Sequence, residues 1–419
     1  MNKNNLPLYF AFAIVIGILI GSFFNGGSSS NTLFAKKSPN EAKIKRLMDY
    51  IQRDYVDSVN TDKILDGAIT QILGKLDPHS RYIPKERLQA VTENMQGNFV
   101  GIGVQFRMIK DSITVIQPIK DGPSIKAGIK AGDRILMANQ DTLYGKKYNS
   151  NTIPKYLKGE SGTNVELQIY RKTNDSLFTV NLKRGDVAIK SVDVSYMIND
   201  SLGYIKLERF ARTSFREFKS ALTKLQNSGM NSLILDLRGN GGGYIDIAQK
   251  IADEFLEDDK LVVYTKDNKG NIENYYTSSR GSFKEGSLYV LIDQNSASAS
   301  EIVAGALQDN DRGTTIGRRS FGKGLVQEDR DLGDGSAVRL TIARYYTPTG
   351  RSIQKPYEKG KGEQYSNDIN NRYRNGELLS RDSIKVVDSL KFTTPKGKIV
   401  YGGGGIVPDV FVAIDTTSY

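Results

Sequence analysis

The segment from Asn295 to Gln327 holds the residue types that a hydrolase without a catalytic histidine would need. Ser298 lies in the run SASASE, between a predicted buried strand and a predicted helix. Unpaired N–H groups and the helix dipole at such a junction would stabilise an alkoxide or an oxyanion. Because Glu301 follows three residues later, Ser298 also fits an ordinary helix capping box. The local spacing therefore leaves two roles open, a nucleophile and a cap.

A serine nucleophile needs a base, and Lys323 in the run FGKG is the candidate. A lysine can accept a proton when burial or nearby cations lower its pKa. We expect Arg318 and Arg319 to disfavour the charged form. Gln327 lies four residues after the lysine, which places both side chains on the same face of a strand. The glutamine amide would then orient the amine, whereas the alternative for Lys323 is a solvated loop lysine.

The chain of 419 residues contains one histidine, His79, and no cysteine. The lack of cysteine excludes disulfide frameworks, zinc fingers, iron–sulfur clusters and thiol nucleophiles. A Ser-His-Asp triad would have to use His79, which follows a helix stop at Asp77-Pro78. At that place we expect a structural hydrogen-bonding residue rather than a base. Any hydrolase chemistry is therefore expected to run without imidazole.

A glycine-rich loop, Arg238 to Gly243, follows the predicted strand SLILDL. Glycine-rich turns at strand ends present free N–H groups, which suits an oxyanion hole. The alternative is a tight turn between a strand and a helix that needs positive φ.

Two nucleotide-binding motifs fit the sequence poorly. Residues Gly317 to Lys323 match G-x-x-x-x-G-K, but position 324 is Gly where a P-loop needs Ser or Thr for Mg²⁺. A strand, not a helix, is predicted to follow. The loop from Gly239 to Tyr244 misses the last glycine of G-x-G-x-x-G. Neither run predicts a nucleotide site.

Residues 91–184 form a small β-rich unit that resembles a PDZ domain. Gly101, Ile102, Gly103 and Val104 match the carboxylate-binding loop of that family, and KAGIKAGDRI matches a later signature. Successive backbone N–H groups in such a loop make a concavity for a terminal carboxylate. An adjacent exposed strand edge would accept an extended peptide. An ordinary small β barrel with a glycine turn is the alternative.

The uncharged run Leu6–Phe24 is about as long as the ~20 residues that cross a bilayer. We expect residues 1–24 to be a short tail and an uncleaved transmembrane anchor, with a cleaved signal peptide as the alternative. Residues 25–38 are predicted to be a linker. Residues 39–90 are predicted to be helical and to serve in packing or dimerisation. The net charge of +11 contains no block of five like charges, so we read it as diffuse and expect no nucleic-acid partner.

Residues 185–419 alternate predicted strands and helices, which indicates a mixed α/β core (α/β or α+β). Helices are expected at Phe215–Leu225, at residues 244–256 and at Ser300–Gln308. The stretch 355–390 is polar and without periodicity, and is predicted to be a surface insertion.

These motifs together resemble the C-terminal processing peptidases, also called tail-specific proteases. The resemblance covers residues 40 to 415 and rests on LDPHSRYI, the PDZ signatures, DLRGNGGG, SASASEIVAGAL, FGKGLVQ, YYTPTGRSIQ and GGGGIVPDV. It implies a serine–lysine dyad of Ser298 and Lys323, assisted by Gln327. It further implies an oxyanion hole from the backbone of Gly243 and Ala299, with no metal and no other cofactor.

The sequence thus predicts a serine endopeptidase that cleaves exported proteins in or near their C-terminal region. The body is expected on the periplasmic side of the inner membrane, held by a single span. Expected partners are proteins or peptides with free, apolar C-termini, and a second copy bound through the N-terminal helices. The rival hypothesis is a non-catalytic PDZ scaffold with an inactive peptidase domain.

Overall fold

The computed structural model describes residues 39–145 and 148–416, which fall into two compact units on either side of residue 68. The helices are α1 Pro39–Asp54, α2 Thr61–Gly74, α3 Lys85–Gln96, α4 Pro123–Lys126, α5 Pro154–Leu157, α6 Ser214–Asn227, α7 Ile245–Asp253, α8 Ala299–Asp309, α9 Gly362–Ser366 and α10 Asp368–Arg374. The predicted anchor Leu6–Phe24 and the whole predicted linker, residues 25–38, lie outside the described residues. Within the described ranges, no helix combines the length and apolar character needed to cross a membrane.

The strands number β1 to β21 along the described chain. They are β1 Arg81–Ile83, β2 Asn98–Gly101, β3 Val104–Ile109, β4 Ser112–Pro118, β5 Arg134–Ala138, β6 Asp141–Thr142, β7 Asn164–Arg171, β8 Ser176–Lys183, β9 Gly185–Ala188, β10 Val192–Met197, β11 Leu202–Leu207, β12 Ser232–Asp236, β13 Leu261–Asp267, β14 Ile272–Tyr276, β15 Ser287–Ile292, β16 Thr314–Gly317, β17 Leu325–Asp331, β18 Ala337–Tyr346, β19 Lys391–Thr393, β20 Ile399–Tyr401 and β21 Val410–Phe411.

The first unit contains α1 and the beginning of α2. None of the residues of α1 is buried, and Ile44, Leu47 and Tyr50 are exposed on it. The helical spacing of these apolar side chains agrees with the helix predicted from the sequence.

The core of the second unit is a six-stranded sheet in the order β10-β11-β12-β15-β16-β21. Strand β10 is antiparallel to β11, and every other neighbour pair in this sheet is parallel. Helices α6, α7 and α8 contribute to the same hydrophobic core, with Phe218, Ile251 and Val303 fully buried. The amphipathic spacing of α6 and the apolar run of α8 confirm the predicted helices. This core fits the predicted mixed α/β class.

The topology of this sheet brings three loops to one edge. Strands β12, β15 and β16 are parallel neighbours, so their carboxyl ends lie side by side. The loops that leave them carry the glycine run 239–243, the serine run 296–300 and the lysine run 321–324. Ligands bind at the carboxyl edge of such sheets because the loops there converge.

A second sheet completes the core and holds the strand that carries Gln327. Its order is β1-β18-β13-β14, with β17 paired to β18. The β17–β18 register places Asp329 opposite Arg339, and the β1–β18 register places Arg81 opposite the same arginine. Three charged side chains from three strands therefore form one row across this sheet.

A separate antiparallel sheet, β3-β4-β5-β7-β8, occupies the predicted PDZ region. Ile113, Ile135, Val165, Leu167 and Ile169 form its fully buried core. Strand β3 lies at one end of this order and pairs with β4 on one side. The predicted boundary between residues 90 and 91 falls inside α3, which ends at Gly97 with φ +84°.

The polar stretch 355–390, predicted to be a surface insertion, is mostly exposed or half-buried but has a few buried side chains. It contains the short helices α9 and α10, and Lys355, Tyr365, Arg372 and Glu377 are buried in it. The polar composition concealed this burial, because each of these side chains finds hydrogen-bond or ionic partners.

Candidate active site

The three loops at the sheet edge line one cleft of about 580 Å³. Its lining includes Ser298, Lys323, Gln327 and the glycines 241–243. The residues singled out from the sequence for chemistry therefore share one cavity in the second unit.

Ser298 has an unusual backbone conformation, with φ 56° and ψ −115°. A residue at the cap of an ordinary helix is extended, so this serine departs from the usual cap geometry. A positive φ at a residue other than glycine is strained and is concentrated at functional sites. It lies directly before α8, whose residues are all buried.

The glycine loop lies against Ser298. A Cβ at Gly242 would approach the serine Cβ to 2.7 Å and the carbonyl oxygen of Ala297 to 2.7 Å. Only glycine fits at that distance. The loops are further joined by Asp293, whose Oδ1 accepts from the N–H groups of Gly239 and Ser296 at 3.0 Å.

Ala299 follows Ser298 directly in the chain, and Gly243 lines the same cleft as the serine. Among the described residues neither backbone N–H donates a hydrogen bond. Gly243 has φ +153°, and a Cβ there would lie 2.2 Å from the carbonyl oxygen of Phe210. Free backbone N–H groups are the kind of donor that an oxyanion hole uses.

Lys323 is half-buried and precedes β17. Its Nζ donates to Oε1 of Gln327 at 2.7 Å, and Nε2 of Gln327 donates to the carbonyl oxygen of His79 at 2.7 Å. The glutamine is thus held at both ends, by the lysine and by the loop that follows α2. The predicted contact between the lysine and the glutamine four residues on is present.

Burial, followed by the positive charges of Arg339 and Arg81, lowers the pKa of Lys323 to about 8. The sequence predicts that Arg318 and Arg319 lower the pKa of this lysine, whereas the positive charges that lower it are those of Arg339 and Arg81. The guanidinium groups of the two predicted arginines are bound elsewhere: Arg318 Nε donates to Gln294 at 2.9 Å, and Arg319 forms a bidentate pair with Glu377. Sequence proximity suggested other cations than the two that lower the pKa of this lysine, which lie on β1 and β18.

The amine and the serine hydroxyl are not in direct contact. Within the described ranges, no hydrogen bond joins Lys323 Nζ to Ser298 Oγ, although both groups line the same cleft. Hydrogen bonds between catalytic groups are often long before substrate binds and tighten in the complex.

Glu301 joins the serine to the lysine loop and is completely buried. Its Oε2 accepts from the N–H groups of Ser298 and Lys323, both at 2.9 Å, and its Oε1 accepts from the N–H of Gly322 at 2.7 Å and from the Ser320 hydroxyl. Burial raises the pKa of this carboxyl. The four hydrogen bonds that it accepts stabilise the charged form and offset part of that rise. The capping bond to Ser298 expected from the sequence exists, and the same carboxylate also binds the loop that carries Lys323.

Tyr345 provides a second link between the same two residues. Its hydroxyl lies 3.1 Å from the carbonyl oxygen of Ser298 and 2.5 Å from that of Lys323. The ring is 1% exposed, and burial raises the pKa of the phenol well above its usual value. It therefore remains a neutral donor to the two carbonyls.

His79 is held away from a catalytic role by its surroundings. Its ring Nε2 lies 2.8 Å from the Tyr365 hydroxyl, and its backbone N–H donates to Oδ1 of Asp77 at 2.8 Å. Burial, followed by the positive charge of Lys323, lowers the pKa of His79 to about 4. A neutral, hydrogen-bonded ring matches the structural role expected from the sequence.

The loop Gly101–Val104 lies at the start of β3. The carbonyl of Ile102 accepts from the N–H of Ser124 at 2.9 Å and from its hydroxyl at 2.6 Å. Gly103 has φ +75°, and its N–H donates no hydrogen bond among the described residues. The loop therefore has a free donor next to the open side of β3.

Several residues that shape the site were not singled out from the sequence. They are Arg81, Glu301 as a link to the lysine loop, Arg339, Tyr345 and Tyr365. A lone acid within the wholly apolar helix run SEIVAGAL was the signal for Glu301, because an acid inside such a helix must be buried and paired. Arg81 and Tyr345 lie in the quoted motifs LDPHSRYI and YYTPTGRSIQ, which indicated the family but not the contacts of these side chains. Arg339 and Tyr365 offered no local signal, since their contacts come from other segments. Within the described residues, no cluster of three His, Cys, Asp or Glu side chains is placed to hold a metal ion.

Three family profiles match the chain. They are Peptidase family S41 at residues 201–360, PDZ domain at residues 100–182, and Activating protease CtpB N-terminal domain at residues 25–87.

Curated relatives agree with these matches. The chain is 32% identical to the carboxy-terminal processing protease CtpB of Bacillus subtilis over 75% of its own length and 65% of the relative. It is 36% identical to a carboxy-terminal-processing protease of Bartonella bacilliformis over 75% of its own length and 72% of the relative. A photosystem II D1 C-terminal processing protease structure is 26% identical, with a TM-score of 0.45, over 89% of this chain and 87% of that one.

Proposed function

The chain belongs to the carboxy-terminal processing serine proteases of peptidase family S41, and we propose that it is an endopeptidase in which Ser298 is the nucleophile and Lys323 the base. The observation that carries the proposal is the half-buried Lys323 beside Gln327, in one cleft with a strained serine. A lysine with a pKa of about 8 is partly neutral near neutral pH and is able to accept a proton.

The acylation step uses these groups in order. Neutral Lys323 takes the proton from Ser298 Oγ as that oxygen forms a bond to the carbonyl carbon of the scissile peptide. The N–H groups of Gly243 and Ala299 donate to the resulting oxyanion. The carbon–nitrogen bond then breaks, and the lysine ammonium passes its proton to the departing amine.

Deacylation repeats the sequence with water. Lys323, neutral again, removes a proton from a water molecule that attacks the ester carbon. The tetrahedral intermediate collapses, the ester bond breaks, and the proton returns to Ser298 Oγ. Gln327 acts by orienting the amine in both steps, since its own far end is fixed to the His79 carbonyl.

The PDZ domain is proposed to recognise the substrate C-terminus through Gly101, Ile102, Gly103 and Val104. The free N–H of Gly103 supports a contact with the terminal carboxylate. The unpaired side of β3 supports addition of the substrate as a further strand. Proteins and peptides with free, apolar, unstructured ends are the expected substrates.

We further propose the domain division and location expected from the sequence. The division is an anchor in 1–24, a linker in 25–38, a helical region in 39–90, the PDZ domain in 91–184 and the peptidase domain in 185–419. A single inner-membrane span with a periplasmic body would bring exported proteins within reach. The exposed apolar side chains of α1 support pairing with a second copy.

A non-catalytic PDZ scaffold is the rival that the dyad experiment addresses. Ser298→Ala and Lys323→Ala should each lower kcat by about 10³-fold or more, and the double variant should be little worse, because the two residues act as one unit. Cleavage of fluorescently labelled casein by the purified full chain measures this. Gln327→Ala should be impaired to a lesser degree. If Ser298→Ala kept full turnover, Ser298 would not be the nucleophile and its role would be that of a helix cap.

The pH profile tests the base. Protonated lysine cannot accept a proton, so kcat should be low in acid and rise with pH through about 8, the lowered pKa of Lys323. Since the His79 ring is already neutral in that range, His79→Gln should keep the rising limb. A limb that disappears in His79→Gln would assign the base to histidine and contradict the proposal.

The PDZ assignment predicts dependence on the terminal carboxylate. Amidating a peptide substrate removes charge-assisted hydrogen bonds worth about 1.5–3 kcal/mol, which corresponds to a roughly tenfold to hundredfold weaker apparent affinity. KM for the free acid and the amide, measured side by side, tests this. Equal KM values for the two peptides would contradict the proposal that the PDZ domain recognises the C-terminus of the substrate.

The proposed anchor should determine where the protein is located without affecting its catalytic activity. A variant without residues 1–37 should be soluble and retain the kcat of the full chain, because the removed residues precede every proposed catalytic group. Fractionation and casein cleavage measure the two properties. In cells with a permeabilised outer layer, added protease should digest the full-length body, and complete protection would place the body in the cytoplasm.

A further inference from the structure

The segment from Gln354 to Glu377 folds onto the loop that carries Lys323. We call this segment the strap. It was expected to be an exposed insertion, yet Lys355, Arg372 and Glu377 are 4%, 3% and 6% exposed. Burying so many charges is costly unless each is paired, so their placement requires specific contacts.

Arg372 of the strap holds the residues just before the lysine. Its Nη1 donates to the carbonyl oxygens of Ser320 at 2.8 Å and Arg319 at 3.3 Å, and its Nη2 donates to that of Phe321 at 3.2 Å. Only the planar fork of a guanidinium reaches three successive carbonyls from one side. Glu377 adds a bidentate ion pair to Arg319.

The aromatic ring of Phe321 is fixed by a second contact. Lys355 Nζ lies 4.0 Å from the centroid of the Phe321 ring and 4.0 Å from that of Tyr365, and 3.0 Å from a carboxylate oxygen of Asp368. A buried ammonium between two ring faces and a carboxylate stabilises all three groups.

The strap also forms hydrogen bonds with the two glycines beside the lysine, Gly322 and Gly324. The N–H of Lys355 donates to the carbonyl oxygen of Gly322 at 2.9 Å, and the N–H of Gly324 donates to Oε1 of Gln354 at 2.8 Å. A Cβ at Gly324 would lie 3.0 Å from the Gln354 nitrogen, so these backbones touch. Lys323 is therefore bracketed by strap contacts on both sides.

A third route leads from the strap to Gln327. The Tyr365 hydroxyl lies 2.8 Å from His79 Nε2, and the rings meet edge to face with centroids 5.0 Å apart. The carbonyl of His79 is the acceptor for Gln327 Nε2. The strap thus reaches both the lysine backbone and the support of its side-chain partner.

We propose that the strap positions the catalytic base: Arg372 and Tyr365 are positioning residues that keep the Lys323 amine buried against Gln327. This proposal rests on the proposed function, in which Lys323 is the base. No strap residue is among the lining residues of the cleft, and the strap contacts described above are to the lysine loop and to His79.

Loosening the strap would expose the amine to water and return its pKa toward the ordinary lysine value. Charged or titratable groups face Lys323 from several elements: Arg81 on β1, Arg339 on β18, Glu301 on α8, and Asp77 and His79 after α2. None of these is in the strap. A substitution in the strap that keeps the positive charge therefore tests how the strap positions the Lys323 amine, and not how its charge acts on that amine.

Two matched pairs of variants make the test. Arg372→Lys keeps the positive charge and loses the fork, and Arg374→Lys makes the same change at an exposed position of the same helix. Tyr365→Phe removes the hydroxyl that meets His79, and Tyr373→Phe makes that change at a side chain 52% exposed. The full chain of each variant is assayed on labelled casein from pH 6 to 10, after a thermal melt.

In Arg372→Lys we expect the rising limb of kcat to move to higher pH. A pKa higher by about one lowers the neutral fraction at pH 7 about tenfold, so kcat should fall about tenfold there and recover near pH 10. KM should change less than about twofold, because the strap does not line the cleft. Tyr365→Phe should move the limb in the same direction by less, and both exposed controls should match the wild type.

The contrary result is a loss of kcat by the same factor at every pH with the limb unmoved, which would make the strap a merely structural support. If Arg372→Lys does not melt cooperatively, Tyr365→Phe decides, and a profile identical to the wild type overturns the proposal. A wild type without a limb near pH 8 is a different failure, because it removes the lysine base itself and the strap's role with it.

Discussion

The site depends on one buried carboxylate that is shared by two loops. Glu301 accepts the N–H of Ser298 on one side and the N–H groups of Gly322 and Lys323 on the other. A carboxylate that is cut off from water is tolerated only when its oxygens are fully hydrogen-bonded. Moving either loop would leave an unpaired charge, so the loops are held together by the cost of separating them.

The parallel sheet explains why those loops are neighbours in the first place. Strands β12, β15 and β16 end side by side, and their loops bring the glycine run, the serine and the lysine to one edge. The sheet alone sets positions only roughly, since loops of several residues leave it. Tyr345, which donates toward the carbonyls of Ser298 and Lys323, then restricts the same pair of loops from the opposite side.

Sequence reasoning succeeded where a residue's partners are close along the chain. The strand before Ser298, the helix after it, the strand carrying Gln327 and the glycine loop each follow from local spacing. It failed where the partner comes from far away. Arg81 precedes Lys323 by 242 residues, and the pairing of β1 with β18 places it opposite Arg339. Nothing in the residues next to Lys323 indicates that pairing. The strap was misjudged because polar composition resembles a surface whether or not its charges are paired.

Lowering the pKa of Lys323 has a consequence for folding. The folded state gives up the lysine proton at about pH 8, whereas an unfolded lysine keeps it to about 10.4. Between these values the unfolded chain binds more protons, so stability rises with pH across this window, and below it the full penalty of burying the charged amine is present. The contacts made by Glu301, Tyr345 and the strap must offset that penalty at neutral pH. A poorly solvated amine therefore needs a well-bonded frame around it, and Glu301, Tyr345 and the strap supply that frame from three different segments of the chain.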